Sequence, residues 1–220
     1  MLHKFAFVKK LIIYIFILPF ISCNSEEIER ILSSLATDGW SSYRPLTIYA
    51  YPFKPEKSWD PESLVGNLLW LGTNKAIEDF SENSNGKVVY KGFSKDDRNS
   101  YQNILNSGPI YGFFEKPDAD KRQILSKECN HRNVEALTWG LYSATPENLR
   151  ISVFLYVKKD NLSIKDRDTV QMTEIQAKNL VYAIKNDVEL TSSQEYLVLE
   201  LLSKSQNLTS NLLQRYTSQN

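Results

Sequence analysis

The sequence predicts an α/β or α+β fold, a single mixed β-sheet with helices packed on it and helices closing the chain. Three observations carry this. In the first half, short runs rich in β-branched and aromatic residues alternate with stretches of helical periodicity. Two apolar, β-rich runs then flank a turn cluster at Thr145-Pro146-Glu147-Asn148, which reads as a hairpin. Two amphipathic segments with capping signals follow. Elements in this order bury their apolar faces as helices layered on a sheet.

Taken in order, LTIYAYPF (46–53) is a strand. Asp60-Pro61 opens a helix, Asp as N-cap and Pro at the first helical position. Val65, Leu68, Leu69, Ala76 and Phe80 form its apolar stripe, Gly72 weakens its middle, and Ser84-Asn85-Gly86 stops it. KVVYKGF (87–93) is a second strand. Asp96 or Asp97 opens a short helix with Tyr101, Ile104 and Leu105 inward, ending at Gly108. PIYGFFEK (109–116) is a third strand candidate, and Asp118 caps a helix with Ile124 and Leu125 on its apolar side.

The hairpin spans 135–161. In its second run Ile151, Val153, Leu155 and Val157 face one way, and Ser152, Phe154, Tyr156 and Lys158 the other. Apolar residues on both sides mean that both faces of the sheet are partly covered. Thr173 and Gln176 have capping-box spacing before Ala177, Leu180, Val181, Ile184 and Val188. Ser192 and Glu195 repeat it before Val198, Leu201, Leu202, Leu208, Leu212 and Leu213.

The amino terminus carries an address. Lys4, Lys9 and Lys10 precede an apolar run over 11–21, and no acidic residue occurs before Glu26. The run is shorter than the roughly 20 residues a spanning helix needs, and Pro19 breaks its end. This is the anatomy of a secretory signal. Phe20-Ile21-Ser22-Cys23 resembles the lipobox of bacterial lipoproteins, with Phe20 where Leu is usual. That resemblance implies cleavage before Cys23, a diacylglycerol on its thiol and a further acyl chain on the new amine. Two or more acyl chains anchor a protein stably where one does not. The expected localisation is the bacterial cell envelope, membrane-anchored on the periplasmic or surface side. The plain alternative is an ordinary signal peptide with an incidental Cys23.

The organisation expected is a signal peptide over 1–22, a lipidated tether over 23–45, an α/β domain over 46–190 and a carboxy-terminal helix over 191–220. Ile28, Ile31, Leu32 and Leu35 lie at helical spacing within the tether. Of 220 residues, 42% are hydrophobic and 12% aromatic, enough for a core. From Cys23 onward there are 23 basic and 26 acidic residues, which argues against a nucleic-acid surface. With Cys23 acylated, Cys129 has no internal partner; the alternative is a Cys23–Cys129 bridge.

QILSKECNHRNVEALTWGLYSATPENLRISVFLYVKKDN (123–161) is similar to a segment of envelope proteins related to the TolB amino-terminal domain, the curli-secretion lipoprotein CsgG and the penicillin-binding-protein activator LpoB. Gly140 matches the glycine of their first hairpin strand and Asp160 the acid after the second. LTIYAYPF would be the first strand and IQAKNLVYAIKND (175–187) the helix after the hairpin. The strand over 109–116 and the long last helix depart from the pattern. The resemblance implies a non-enzymatic envelope module that binds a partner protein or assembles into oligomers.

The chain is poor in catalytic signals. Past the signal, His131 is the only histidine. Cys129 and His131 lie two apart, so on a helix they point to different sides. No zinc spacing, phosphate loop or nucleophile elbow is present. No catalytic residue, metal or cofactor is expected. The aromatics crowding 40–59 read first as packing. The sharper reading makes Trp40, Tyr43, Tyr51 and Trp59 a partner-binding surface with KSWDPES (57–63) as its exposed loop. Three functions fit: an envelope adaptor capturing a partner protein on the sheet edge or the aromatic loop, an envelope hydrolase acting on cell-wall or glycan material, and a structural lipoprotein self-assembling through its last helices. The first is the reading adopted.

Overall fold

β1 (Leu46–Pro55) is an interior strand. It pairs in parallel with β2 (Val88–Lys91) on one side and with β3 (Ala136–Ala144) on the other. From β3 the chain turns back as β4 (Leu149–Val157) and again as β5 (Leu162–Val170), both antiparallel. The result is a mixed five-stranded sheet in the order β2-β1-β3-β4-β5, as the sequence predicts in class. The computed structural model describes residues 45–57, 59–84, 86–91 and 119–218. These belong to one unit, Pro45–Asn220, the other being Met1–Arg44. Cys23, Trp40, Tyr43, the helix expected after Asp96 or Asp97 and the strand expected over 109–116 lie outside the described residues.

β1 carries one extra residue against β3. Ala50 pairs with Thr138 but Phe53 with Gly140, so three steps on one strand match two on the other, a β-bulge. Its effect is on side-chain direction. Tyr49 and Tyr51 join the cluster on one face, whereas Ile48, Ala50 and Phe53 join the other.

α1 (Leu64–Asn83) starts later than Asp60-Pro61 predicts. Ser63 stands at its N-cap in a left-handed conformation, φ 53°, and gives no side-chain cap. The capping is nonetheless done by Asp60, whose carboxylate accepts the N–H of Leu64 and of Val65 at 2.9 Å each. Val65, Leu69, Ala76 and Ile77 are buried; Leu68 and Phe80 pack at the margin. Gly72 marks a close helix crossing. A β-carbon there would stand 2.2 Å from Ser205 Oγ and 2.3 Å from Leu202 O of α4 (Ser192–Thr217).

α2 (Ala119–Arg132) buries Leu125 and Cys129, one turn apart. Ile124, expected on the same side, is 40% exposed, because the line from Leu125 to Cys129 and not its neighbour meets the sheet. The hairpin turn closes as expected: Thr145 donates its N–H to Asn148 O at 2.8 Å. α3 (Glu174–Lys185) has the Thr173–Gln176 capping box. For α4 the box is Thr191–Gln194, one residue before the expected Ser192–Glu195, because Ser192 is already helical and Thr191 is the last extended residue.

Both faces of the sheet are partly covered. On one, Ile48, Phe53, Val153 and Leu155 pack with Leu69 and Ile77 of α1 and with Leu201, Leu208, Leu212 and Leu213 of α4. On the other, Tyr49, Tyr51, Trp139, Phe154 and Tyr156 pack with Leu125 and Cys129 of α2. The alternation in β4 sorts its side chains between the two, as the sequence predicts.

Candidate functional site

Past the reach of that second cluster, the face of β4 and β5 turns basic. Arg150 lies opposite Thr169, Ser152 opposite Arg167, and Phe154 opposite Lys165. Alternation puts all six on one side, since their neighbours Ile151, Val153, Leu155, Ile164 and Val170 belong to the core on the other. They line a cleft of about 570 Å³. A second, of about 720 Å³, shares Phe154, Lys165 and Arg167 and continues to Arg215. Phe154 is the floor, stacked on Trp139 with ring centres 5.2 Å apart and planes at 6°. The Lys165 ammonium sits 5.6 Å above the Phe154 ring.

The charges in this cleft are not all matched. Arg150 and Arg167 are exposed, and among the described residues neither has an acidic partner. Glu56, one residue past β1, also lines the cleft; its amide N–H bonds Tyr142 O at 2.8 Å. Asp168 is engaged from behind by Lys204 of α4 at 2.6 Å. That hydrogen bond holds the Asp168 carboxyl below the usual carboxylate range, helped by the Thr169 amide. Arg215 reaches Asp166 at 3.5 Å.

The outer edge of β5 is closed by its own side chains. Asp166 Oδ1 accepts the Arg167 N–H at 3.0 Å, and Asp168 Oδ1 accepts the Thr169 N–H at 2.7 Å. Arg215 donates to Lys165 O at 3.2 Å. These are groups that a sixth strand would use, and edge strands blocked in this way resist pairing. Each aspartate bridges an edge amide to a cation of α4. Capture of a partner by strand addition at β5, one of the two routes expected from sequence, meets these bonds first.

The aromatic route is also narrower than expected. Tyr51 is 1% exposed, because β1 is interior and α2 covers that side. Its hydroxyl donates to Glu128, and Arg132 Nε contacts both, at 3.3 Å and 3.1 Å. Burial first, and then the Glu128 bond, push its ionisation well above the ordinary tyrosine range. Tyr51 therefore ties β1 to α2 and is not presented to a partner. Trp59 is half-buried, edge-on to Tyr142 at 5.7 Å. Within KSWDPES, Lys57 and Pro61 are exposed, but Asp60 is 0% exposed and accepts the Tyr142 hydroxyl at 2.7 Å. Cys129 is fully buried, and burial pushes its thiol up to about 12, so it is a packing residue, while His131 is exposed. Among the described residues no His, Cys, Asp and Glu group could hold a metal ion.

Arg150 and Arg167 carry no motif, and sequence reasoning passed over them. Arg150 was findable, as the one charge inside the apolar run of β4 on the side away from Ile151 and Val153. Arg167 was not, because β5 itself did not read as a strand.

No protein-family model matches the sequence, and no curated protein matches it. Among solved structures, the chain is similar to lipoprotein GNA1162 from Neisseria meningitidis, with TM-score 0.37 and 12% identity over 65% of this chain and 96% of that one. It is similar to the carboxy-terminal domain of LpoB from Salmonella enterica, with TM-score 0.33 and 12% identity over 64% and 93%. It is also similar to TolB from Acinetobacter baumannii, with TM-score 0.33 and 13% identity over 71% and 28%.

Proposed function

We propose that this chain is a lipid-anchored protein of the bacterial cell envelope that works as a non-enzymatic adaptor, holding a partner protein on the open face of β4 and β5. The anchor is Cys23, supported by the basic start, the short apolar run and the Phe20-Ile21-Ser22-Cys23 lipobox pattern. The observation that carries the binding role is the pair Arg150 and Arg167, exposed on a sheet face and unmatched among the described residues. Two neighbouring cations on one face make a positive patch, to which a negatively charged partner surface is complementary.

The test has two parts. The intact mass of the mature protein from membrane and soluble fractions is measured beside a Cys23→Ala variant. A membrane form that starts at Cys23 and carries acyl mass, lost in the variant, is the expected result. An unmodified soluble protein cut elsewhere removes the anchor. A photo-crosslinking residue is then placed at Thr169, on the open face, and at Lys178 on α3. A discrete product from Thr169 alone is expected; equal or no products from the two positions remove the adaptor.

A further inference from the structure

We propose that Arg150 and Arg167 form a carboxylate clamp for an extended acidic segment of the partner protein, one with two acidic residues separated by a single residue. This rests on the adaptor reading above and names the chemistry of the partner.

The register sets the geometry. Arg150 faces Thr169, and Arg167 is two residues before Thr169. The two arginines are thus diagonal neighbours on one face, with β-carbons about 7 Å apart. In an extended peptide, side chains two residues apart lie on one side and about 7 Å apart. Two acidic side chains at that spacing meet two guanidinium forks, each able to take a carboxylate through two N–H donors. Ser152 and Thr169 stand beside the arginines and offer hydroxyls to the same ligand. The ligand also removes a cost, since two like charges this close on one face repel.

Two further features choose a peptide over a uniform polyanion. Glu56 lines the same cleft, and Asp168 and Asp166 stand at its β5 rim, facing Lys204 and Arg215. A polymer with an anion in every unit would meet the Glu56 carboxylate, whereas a peptide can place a neutral or basic residue there. The closed edge of β5 then directs the segment across the face, because the Arg167 and Thr169 amides are already bonded. Two hollows meet at Phe154, Lys165 and Arg167 and run from Arg150 to Arg215, which gives room for a chain in extended form.

The experiment is a fluorescence-anisotropy titration of the full mature protein with a labelled peptide carrying Glu-Ser-Glu in a Gly/Ser background. Its controls are the Gln-Ser-Gln and Lys-Ser-Lys peptides. Binding that weakens with salt is expected for Glu-Ser-Glu and none for Gln-Ser-Gln. Arg150→Ala and Arg167→Ala are each expected to raise Kd by about tenfold. Both side chains are exposed, and unpaired among the described residues, so thermal unfolding is expected to be unchanged. Arg150→Glu with Arg167→Glu should exchange the preference for the Lys-Ser-Lys peptide. Equal binding of the Glu and Gln peptides, or wild-type affinity in the double alanine variant, overturns the clamp. So does displacement of the peptide by polyphosphate or by vesicles of anionic lipid, which would assign the face to another ligand. If the Thr169 cross-link persists in the double alanine variant, the clamp fails and the adaptor stands. If wild-type protein gives no cross-link while the peptide binds as described, the adaptor fails, and with it the partner-protein assignment, while the two arginines stand as a carboxylate-binding pair.

Discussion

The Phe53 ring fills the space that a β-carbon on Gly140 would need: the nearest ring carbon would be 1.9 Å away. The bulge in β1 creates this relation, since it sets Phe53 beside Gly140 and turns the ring to the side packed by α1 and α4. Gly140 is needed here for close approach and not for an unusual backbone. Gly140→Ala is expected to cost about 1–3 kcal/mol in chemical denaturation, because the ring must leave its place. Phe53→Leu should relieve the clash, so the double variant is expected to be more stable than the two separate losses predict. Simple additivity would show that the ring and the glycine are not coupled.

Asp166 and Asp168 guard the edge of β5 by occupying the amides of Arg167 and Thr169. Replacing both by alanine frees these groups and removes two charges from the edge. Self-association that grows with concentration is expected by sedimentation, through pairing of β5 edges. A double variant that stays monomeric at every concentration would refute the guarding role.

The same residue gives a pH dependence. Lys204 holds the Asp168 carboxyl below its ordinary range. A carboxyl depressed on folding contributes stability above its unfolded pKa, near 4, and loses it as pH falls through the lower folded value. The side chains of Lys204 and Asp168 are 32% and 42% exposed, so solvent screening limits the contribution to about 0.5 kcal/mol. Wild type should therefore exceed Asp168→Asn in urea stability by that amount at pH 7, and the two should converge at pH 3. A gap that widens in acid would contradict the assignment.

What the sequence told and withheld follows from where each signal resides. β1 and the hairpin are legible because their β-branched and aromatic runs and the Thr145–Asn148 turn are local. β5 is not, because LSIKDRDTV turns Asp166 and Asp168 toward the helical side. Their partners Lys204 and Arg215 are 36 and 49 residues further on, so no apolar alternation announces the strand. The capping box of α4 was missed by one position because Thr191–Gln194 and Ser192–Glu195 have equal spacing, and only the extended backbone of Thr191 separates them. Gly72 read as a weak point and is a contact with α4, which no single-helix argument could reveal. The candidate site depends on β5, so it shared that invisibility. The aromatic candidate failed at Tyr51 for a related reason: a tyrosine on an interior strand and one on an exposed edge look alike in sequence.

The last helix tests whether this chain assembles through its leucines or folds through them. Leu201 and Leu212 are 0% and 1% exposed and belong to the core between α1, α4 and the sheet. A carboxylate introduced at either position falls among apolar core residues and must be buried, opened to water or protonated. Leu201→Glu and Leu212→Glu are each expected to cost about 4 kcal/mol or more, a large part of the stability of a domain this size. The measurement is circular dichroism with sedimentation on each variant. Loss of the cooperative unfolding transition is the expected outcome. A folded monomer derived from a wild-type oligomer would instead mean that these leucines join separate chains, and self-assembly would replace the adaptor as the better account.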